Sequence, residues 1–280
     1  MALTNEGTAR DVATKDWQIH YNEAGEGHPV VLLHGGGPGA TGWSNYSPNI
    51  EALAKNFRVI APDMPGWGDS SAVDFEQLDH VDVAVQLLDA LGIEKAAFVG
   101  NSMGGHTSIR LASERPERVS HLITMGPPLQ MGPFLFGPGG GLSEGLKIMY
   151  EAYHDASPEG MRRLVEIMVY DKQRFASPEL TKERSVAALN RQDHLDNVTA
   201  AGAKAPIPIW ANKDKIKGIT APSLLVHGRD DRVVSFESTL FLAANIANSR
   251  AVLINRCGHW AQLEHADEFN RLVTDFIQNN

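Results

Sequence analysis

Gly100-Asn101-Ser102-Met103-Gly104 follows the apolar run Ala96-Ala97-Phe98-Val99 and leads into a helical pattern opening at Met103 (Gly105, Thr107, Ile109, Leu111). A strand that turns sharply into a helix, with small residues on both sides of a serine, lifts that hydroxyl clear of a sheet. Ser102 is therefore the candidate nucleophile. It stands beside a helix N-terminus, where free N–H groups can stabilise a developing oxyanion. Ordinary Gly-rich turns show the same pattern, so its meaning depends on partners: a serine needs a base, and the base needs an orienting acid. Ser223-Leu224-Leu225-Val226-His227 reads as a buried strand followed by Gly228-Arg229-Asp230-Asp231, and Ala251-Val252-Leu253-Ile254 as another, followed by Cys257-Gly258-His259-Trp260. Both loops leave C-terminal strand ends, the edge on which open α/β sheets carry their sites. His259 is the expected base. Asp231, three residues past Gly228, is the expected orienting carboxylate, and Asp230 is expected to bond to its own loop backbone.

A fourth element agrees. The strand Pro29-Val30-Val31-Leu32-Leu33 runs into His34-Gly35-Gly36-Gly37-Pro38-Gly39-Ala40. Such a glycine loop can bring a backbone N–H to the reacting carbon, and the N–H groups of Gly36 and Met103 are assigned to an oxyanion hole. Gly35 to Ala40 also satisfies the dinucleotide pattern G-x-G-x-x-A. Two features oppose that reading. Pro38 removes an N–H where phosphate needs one, and no helix is expected before Ser47-Pro48, too late for phosphate binding at a helix end.

These residues require a frame that alternates strands and helices. Phe57-Arg58-Val59-Ile60-Ala61 and Leu122-Ile123-Thr124-Met125 read as strands, and Val81, Ala84, Val85, Leu88 and Leu91 mark a helix face closed by Gly92. From residue 129 to about 206 the alternation stops and helices remain: Ser157-Pro158 and Ser177-Pro178 open two, and Leu142, Leu146, Met149, Tyr150 and Tyr153 form the stripe of a third. Alternation resumes at Ser223 and ends in the stripe Phe269, Leu272, Val273, Phe276 and Ile277. The expected organisation is a core over 1–128 and 207–280, with a helical lid over 129–206 covering the catalytic edge.

Length and composition agree, with 280 residues, 42% of them hydrophobic, enough for one large α/β domain and an insertion. A net charge of -9 argues against nucleic acid or an anionic membrane as partner. The single cysteine, Cys257, forms no internal disulfide and suits a cytoplasmic protein. No signal peptide and no membrane-spanning run is read, and the eleven histidines show no metal-ligand spacing. No metal and no cofactor are expected.

The chain resembles the meta-cleavage product hydrolases, carbon–carbon bond hydrolases of the α/β-hydrolase superfamily that act on ring-opened catechols in aromatic degradation. The similarity covers nearly the whole chain. It rests on His34 to Ala40 with Gly42-Trp43-Ser44-Asn45, on Gly100 to Gly105, and on Cys257-Gly258-His259-Trp260-Ala261-Gln262. The first and last are far more specific than G-x-S-x-G. Leu180-Thr181-Lys182-Glu183-Arg184 also resembles the family, which carries an arginine there. His106 departs from the family's biphenyl-pathway members, which carry a small residue after Gly-Gly, and is expected to narrow or polarise the pocket.

The resemblance implies the α/β-hydrolase fold: a mostly parallel sheet flanked by helices, with a helical lid between two halves of the core. It also implies a small-molecule substrate, a 2-hydroxy-6-oxohexa-2,4-dienoate, and a homo-oligomer. Arg184 would clamp the carboxylate, since a guanidinium matches its geometry and stays charged. Asn45 and Asn101 would bond the carboxylate–enol end. Without the resemblance Arg184 reads as a surface arginine, with Arg191 as its competitor, and Trp260 either walls the pocket or packs against the lid. A carboxylesterase or lactonase on the same triad, and a non-catalytic receptor on the same fold, are the competing functions.

Overall fold

The structure, a computed structural model, describes residues 2–73, 78–130, 135–136, 142–201 and 211–280. Strands β1 (Ala9–Ala13), β2 (Gln18–Ala24), β3 (Pro29–Leu33), β4 (Arg58–Pro62), β5 (Ala96–Asn101), β6 (Val119–Met125), β7 (Ser223–Gly228) and β8 (Ser249–Ile254) form one sheet, ordered β1-β2-β4-β3-β5-β6-β7-β8. The pairs β1–β2 and β2–β4 are antiparallel, and every pair from β4 onward is parallel. Helix α1 (Asn5–Thr8) precedes the sheet, and α2 (Gly42–Leu53), α3 (His80–Ala90) and α4 (Met103–Glu114) connect its first parallel strands. Between β6 and β7 lie α5 (Glu144–His154), α6 (Pro158–Met168), α7 (Lys172–Phe175), α8 (Pro178–Leu189), α9 (Gln192–Ala201) and α10 (Lys213–Ile216). Helices α11 (Glu237–Asn245), α12 (Ala261–Glu264) and α13 (Ala266–Asn279) complete the chain. The expected lid end at residue 206 lies outside the described residues. Among those residues, no helix is long and apolar enough to cross a membrane.

The central strands are apolar on both faces because helices cover both. Along β3, Val30 and Leu32 pack with Tyr46 and Ile50 of α2 and Phe269 and Val273 of α13. Val31 and Leu33 turn the other way, toward Leu87 of α3 and Ile109 of α4. The period of two in a strand sorts one run of four hydrophobics into two cores.

Three expectations about elements need correction. β1 and β2 escaped the sequence reading because they carry no apolar run: β1 is an edge strand without a buried side chain, and Ile19 and Tyr21 are the buried hydrophobics of β2. Helix α2 begins at Gly42, not near Ser47-Pro48. Thr41 caps it, its Oγ1 accepting from the Ser44 N–H while Ser44 Oγ accepts from the Thr41 N–H, each at 2.9 Å, so Pro48 falls inside the helix. One ground against a dinucleotide thus fails, although Pro38 still withholds its N–H. Leu142 lies just before α5, whose N-cap is Ser143.

The insertion is seated on the core by polar contacts at several points. The His259 N–H donates to Met168 O at 2.7 Å, and the Glu264 carboxylate accepts from the N–H groups of Gly258, Tyr170 and Asp171 at 2.5, 2.8 and 3.0 Å. Arg191 donates to Gly68 O and Ser70 O at 2.7 and 3.0 Å, and His194 of α9 packs on Trp67 with ring centroids 4.2 Å apart. His106 of α4 accepts from the Ala211 N–H at 3.0 Å.

Burial holds His34, His106 and His194 neutral, lowering their pKa values from 6.5 to about 4, 3 and 3. At pH 5 the unfolded chain protonates all three and the folded chain none of them. Asp63 acts oppositely, since burial raises its carboxyl from 3.8 to about 6 and the folded chain then holds the extra proton. The histidines prevail. Unfolding takes up about two protons net from these groups, so stability falls by about 3 kcal/mol for each unit by which the pH is lowered around pH 5. Urea unfolding at pH 7, 6 and 5 measures this, and a flat midpoint counts against neutral buried histidines.

Candidate active site

Ser102 follows β5 and caps α4 at φ 52° and ψ -114°, a left-handed conformation that costs a non-glycine residue about 1–3 kcal/mol. The turn is that tight because its flanking residues lack Cβ atoms. A Cβ on Gly100 would collide with the Gly104 carbonyl, and one on Gly104 with the Leu33 carbonyl. The Ser102 side chain makes no helix-capping hydrogen bond.

Asp231 and His259 meet as the sequence predicts, with His259 Nδ1 2.7 Å from Asp231 Oδ2. The same oxygen faces His227 Nε2 at 3.1 Å, while Asp231 Oδ1 accepts from the N–H groups of Val233 and Val234 at 2.7 and 3.0 Å. Burial alone would raise this carboxyl. The positive charge that His259 carries when protonated and the hydrogen bonds from both histidines outweigh it and hold Asp231 well below the usual carboxylate range. An anionic Asp231 keeps the Nδ1 proton on His259, which leaves Nε2 as the basic nitrogen.

His227 was missed as a site residue. Its Nε2 also faces Val234 O at 3.1 Å, so the proton sits there, and Nδ1 accepts from Thr239 Oγ1 at 2.8 Å. The available signal was a histidine at a strand end four residues before the acid. Asp230 is corrected as well. Asp231 bonds the loop backbone, whereas Asp230 Oδ2 is buried without a hydrogen-bond partner among the described residues and Arg229 stands 3.9 Å away.

Ser102 and His259 line one cavity with Gly35, Gly36, Asn45 and Asn101 from the core. The insertion closes it with Met149 of α5, Leu164 and Met168 of α6 and Arg184 of α8, and Trp260 completes the wall. The N–H groups of Gly36 and Met103 have no acceptor among the described residues; Met103 is the first residue of α4, and its side chain is buried in the core.

Arg184 is only 4% exposed, yet it forms no hydrogen bond or ion pair with a described residue. Its guanidinium lies 4.4 Å over the Trp260 ring, and burial lowers its pKa to about 10. A cation placed this deep without a counter-ion is costly, and the aromatic face recovers only part of that cost. Arg191 does not compete: it is occupied by Gly68 O, Ser70 O and Asp193. Asn101 donates Nδ2 to His259 O at 3.1 Å, and its buried Oδ1 has no partner among the described residues. Asn45 accepts weakly from the Gly35 N–H at 3.4 Å and donates to Thr41 O at 3.2 Å. His106 does not line the cavity; its ring nitrogen is bound to the Ala211 backbone, which overturns its expected effect on the pocket.

This fold is that of the α/β hydrolases, and the sequence model of the alpha/beta hydrolase fold matches residues 29–266. A 2-hydroxy-6-oxo-6-phenylhexa-2,4-dienoate hydrolase of Burkholderia cepacia is 40% identical over 97% of this chain and 95% of its own length. A 2-hydroxy-6-oxononadienedioate/2-hydroxy-6-oxononatrienedioate hydrolase of Cupriavidus pinatubonensis is 41% identical over 99% of this chain and 98% of its own. Among solved structures, a meta-cleavage product hydrolase from Pseudomonas fluorescens IP01 superposes with a TM-score of 0.84 at 34% identity, covering 96% of this chain and 97% of that one. The chain belongs to the α/β-hydrolase family, within its meta-cleavage product hydrolases.

Proposed function

We propose that the protein hydrolyses the carbon–carbon bond beside the ketone of a 2-hydroxy-6-oxohexa-2,4-dienoate, giving 2-hydroxypenta-2,4-dienoate and a carboxylic acid in aromatic compound degradation. The buried Arg184, unpaired among the described residues, on the wall shared with Ser102 and His259 carries the reading, because a carboxylate is the group that such a guanidinium lacks. In the reaction, the enol proton moves to C5, so that C2 becomes a ketone conjugated to the C3–C4 double bond. Arg184 holds the carboxylate and Asn45 the oxygen at C2, while Asn101 Oδ1 accepts from the O–H at C2 in the enol forms of substrate and product. Ser102 Oγ then attacks C6 while His259 Nε2 takes its proton, and the new oxyanion rests on the Gly36 and Met103 N–H groups. The C5–C6 bond breaks, its electron pair passing into the conjugated ketone, and His259 returns a proton to the leaving dienol. Water activated by His259 then frees the acyl group from Ser102. Residues 129–206 serve as a lid over this site. The buried free thiol of Cys257 fits a cytoplasmic setting, and the homo-oligomer implied by the family is read from the mass in solution.

The names of the relatives differ in the group on the ketone, a phenyl ring in one and a second carboxylate in the other. Here Met149, Leu164 and Met168 face the cavity, and Arg184 is the sole Lys or Arg among its described lining residues. An apolar substituent fits this wall, whereas a second carboxylate would be desolvated without a partner. Purified enzyme should therefore bleach the yellow 6-phenyl dienoate with a kcat/KM at least about tenfold above that for the dioate, one bidentate pair being worth more than 1.4 kcal/mol. Comparable efficiency on a simple nitrophenyl ester would point to an esterase, and binding without turnover to a receptor.

A further inference from the structure

The glycine run 35–37 faces the cavity with no side chains of its own to hold it. Glycine surrenders more conformational freedom on folding than any other residue, so an N–H in such a run is preorganised only if something else pins the peptides. Each carbonyl of the run has a side-chain donor. His34 Nδ1 donates to Gly35 O at 2.7 Å, the Tyr153 hydroxyl donates to Gly36 O, and Trp67 Nε1 donates to Gly37 O at 3.2 Å. The protonation states are fixed by the partners. Since His34 Nε2 accepts from the Met64 N–H at 2.9 Å, the proton lies on Nδ1. The Tyr153 proton goes to Gly36 O, so His194 Nε2, 3.3 Å from the tyrosine oxygen, carries the hydrogen between them.

The Gly36 N–H belongs to the peptide whose carbonyl His34 holds, and the next peptide is the one Tyr153 holds. With both clamped, Gly36 cannot rotate. His34 and Trp67 come from the core, but Tyr153 and His194 come from α5 and α9 of the insertion. Met149, four residues before Tyr153 on the same face of α5, walls the cavity. We propose that Tyr153 is a positioning residue for the oxyanion hole: the insertion, seated on the glycine loop through the Tyr153 hydroxyl, fixes the peptide after Gly36 and so adds a second clamp to the one that His34 of the core places on the peptide carrying the Gly36 N–H. This rests on the proposed role of Gly36 as an oxyanion donor. Burial raises the Tyr153 phenol far above its ordinary value, so it remains a donor at every working pH.

Tyr153→Phe keeps the ring and removes the hydroxyl. The expected result is a fall of about 10- to 100-fold in kcat with KM within about twofold, on the dienoate and on a nitrophenyl ester alike, since both reactions pass through an oxyanion. Rapid-mixing traces should show ketonisation of the dienoate at the wild-type rate, because that step uses no oxyanion hole. Phenylboronic acid, which places an oxygen in the hole when it adds to Ser102, should bind at least about tenfold more weakly by calorimetry. Trp67→Phe, which frees the carbonyl one peptide further on, should show a smaller kcat loss. Unchanged kcat and unchanged boronate affinity in folded Tyr153→Phe overturn the proposal. So does a loss confined to KM, which would make Tyr153 a wall of the pocket. Wild-type protein that cleaves only the ester would refute the dienoate function while leaving the Tyr153 inference to be decided by the ester and boronate readings.

Discussion

Ser102→Ala and His259→Ala should each lower dienoate turnover by about five to six orders of magnitude, because nucleophile and base act as a unit and losing either removes the whole step. The comparison of interest is Asp231. In the serine-protease example, replacing the orienting aspartate by asparagine costs about 10⁴-fold through the wrong histidine tautomer. Here the environment is stricter. Asp231 accepts from His259 and His227 at Oδ2 and from two backbone N–H groups at Oδ1. An asparagine amide nitrogen meets donors whichever way it is turned. Asp231→Asn should therefore lose at least that factor in kcat, together with measurable stability, while Asp230→Asn stays within about tenfold of wild type. Thermal unfolding and steady-state rates on the four variants settle the assignment. A crippled Asp230→Asn beside a mild Asp231→Asn would move the acid.

What was legible in the sequence follows from how each residue does its work. Ser102, Asp231 and His259 each follow an apolar run, and a chemical side chain just beyond a buried strand stands out. Phe269, Val273 and Phe276 announce α13 by their spacing alone. His227 and Tyr153 were hidden because they lie inside patterns with a sufficient packing explanation, one in a buried strand and the other in an amphipathic stripe. Their significance lies in the carboxylate and the carbonyl they face, contacts made across 4 and 117 residues of chain. The start of α2 was hidden for a local reason, since a reciprocal Thr41–Ser44 cap has no glutamate to advertise it. His106 shows the opposite error. An unusual residue close to the nucleophile in sequence suggested a pocket role, but one helical turn past Ser102 its ring points to the backbone at Ala211.

Arg184 offers the sharpest separation of substrate classes. A bidentate guanidinium–carboxylate pair, sheltered from water, contributes several kcal/mol, and lysine lacks the planar fork that makes both hydrogen bonds. Arg184→Ala should lower kcat/KM for the dienoate by two or more orders of magnitude, at about 1.4 kcal/mol per tenfold. Arg184→Lys should recover only part of that loss. The same alanine should leave an uncharged nitrophenyl ester nearly unaffected, since that substrate offers no carboxylate. It should not weaken the fold either. The buried guanidinium has no ion pair among the described residues to lose, and its contact is the Trp260 ring. Removing an unpaired buried charge relieves a desolvation cost, so the melting temperature should hold or rise. An equal loss on both substrates with a lowered melting temperature would make Arg184 a strut of the insertion instead. Selective loss with stability retained is the signature of a cation held in reserve for the substrate's carboxylate.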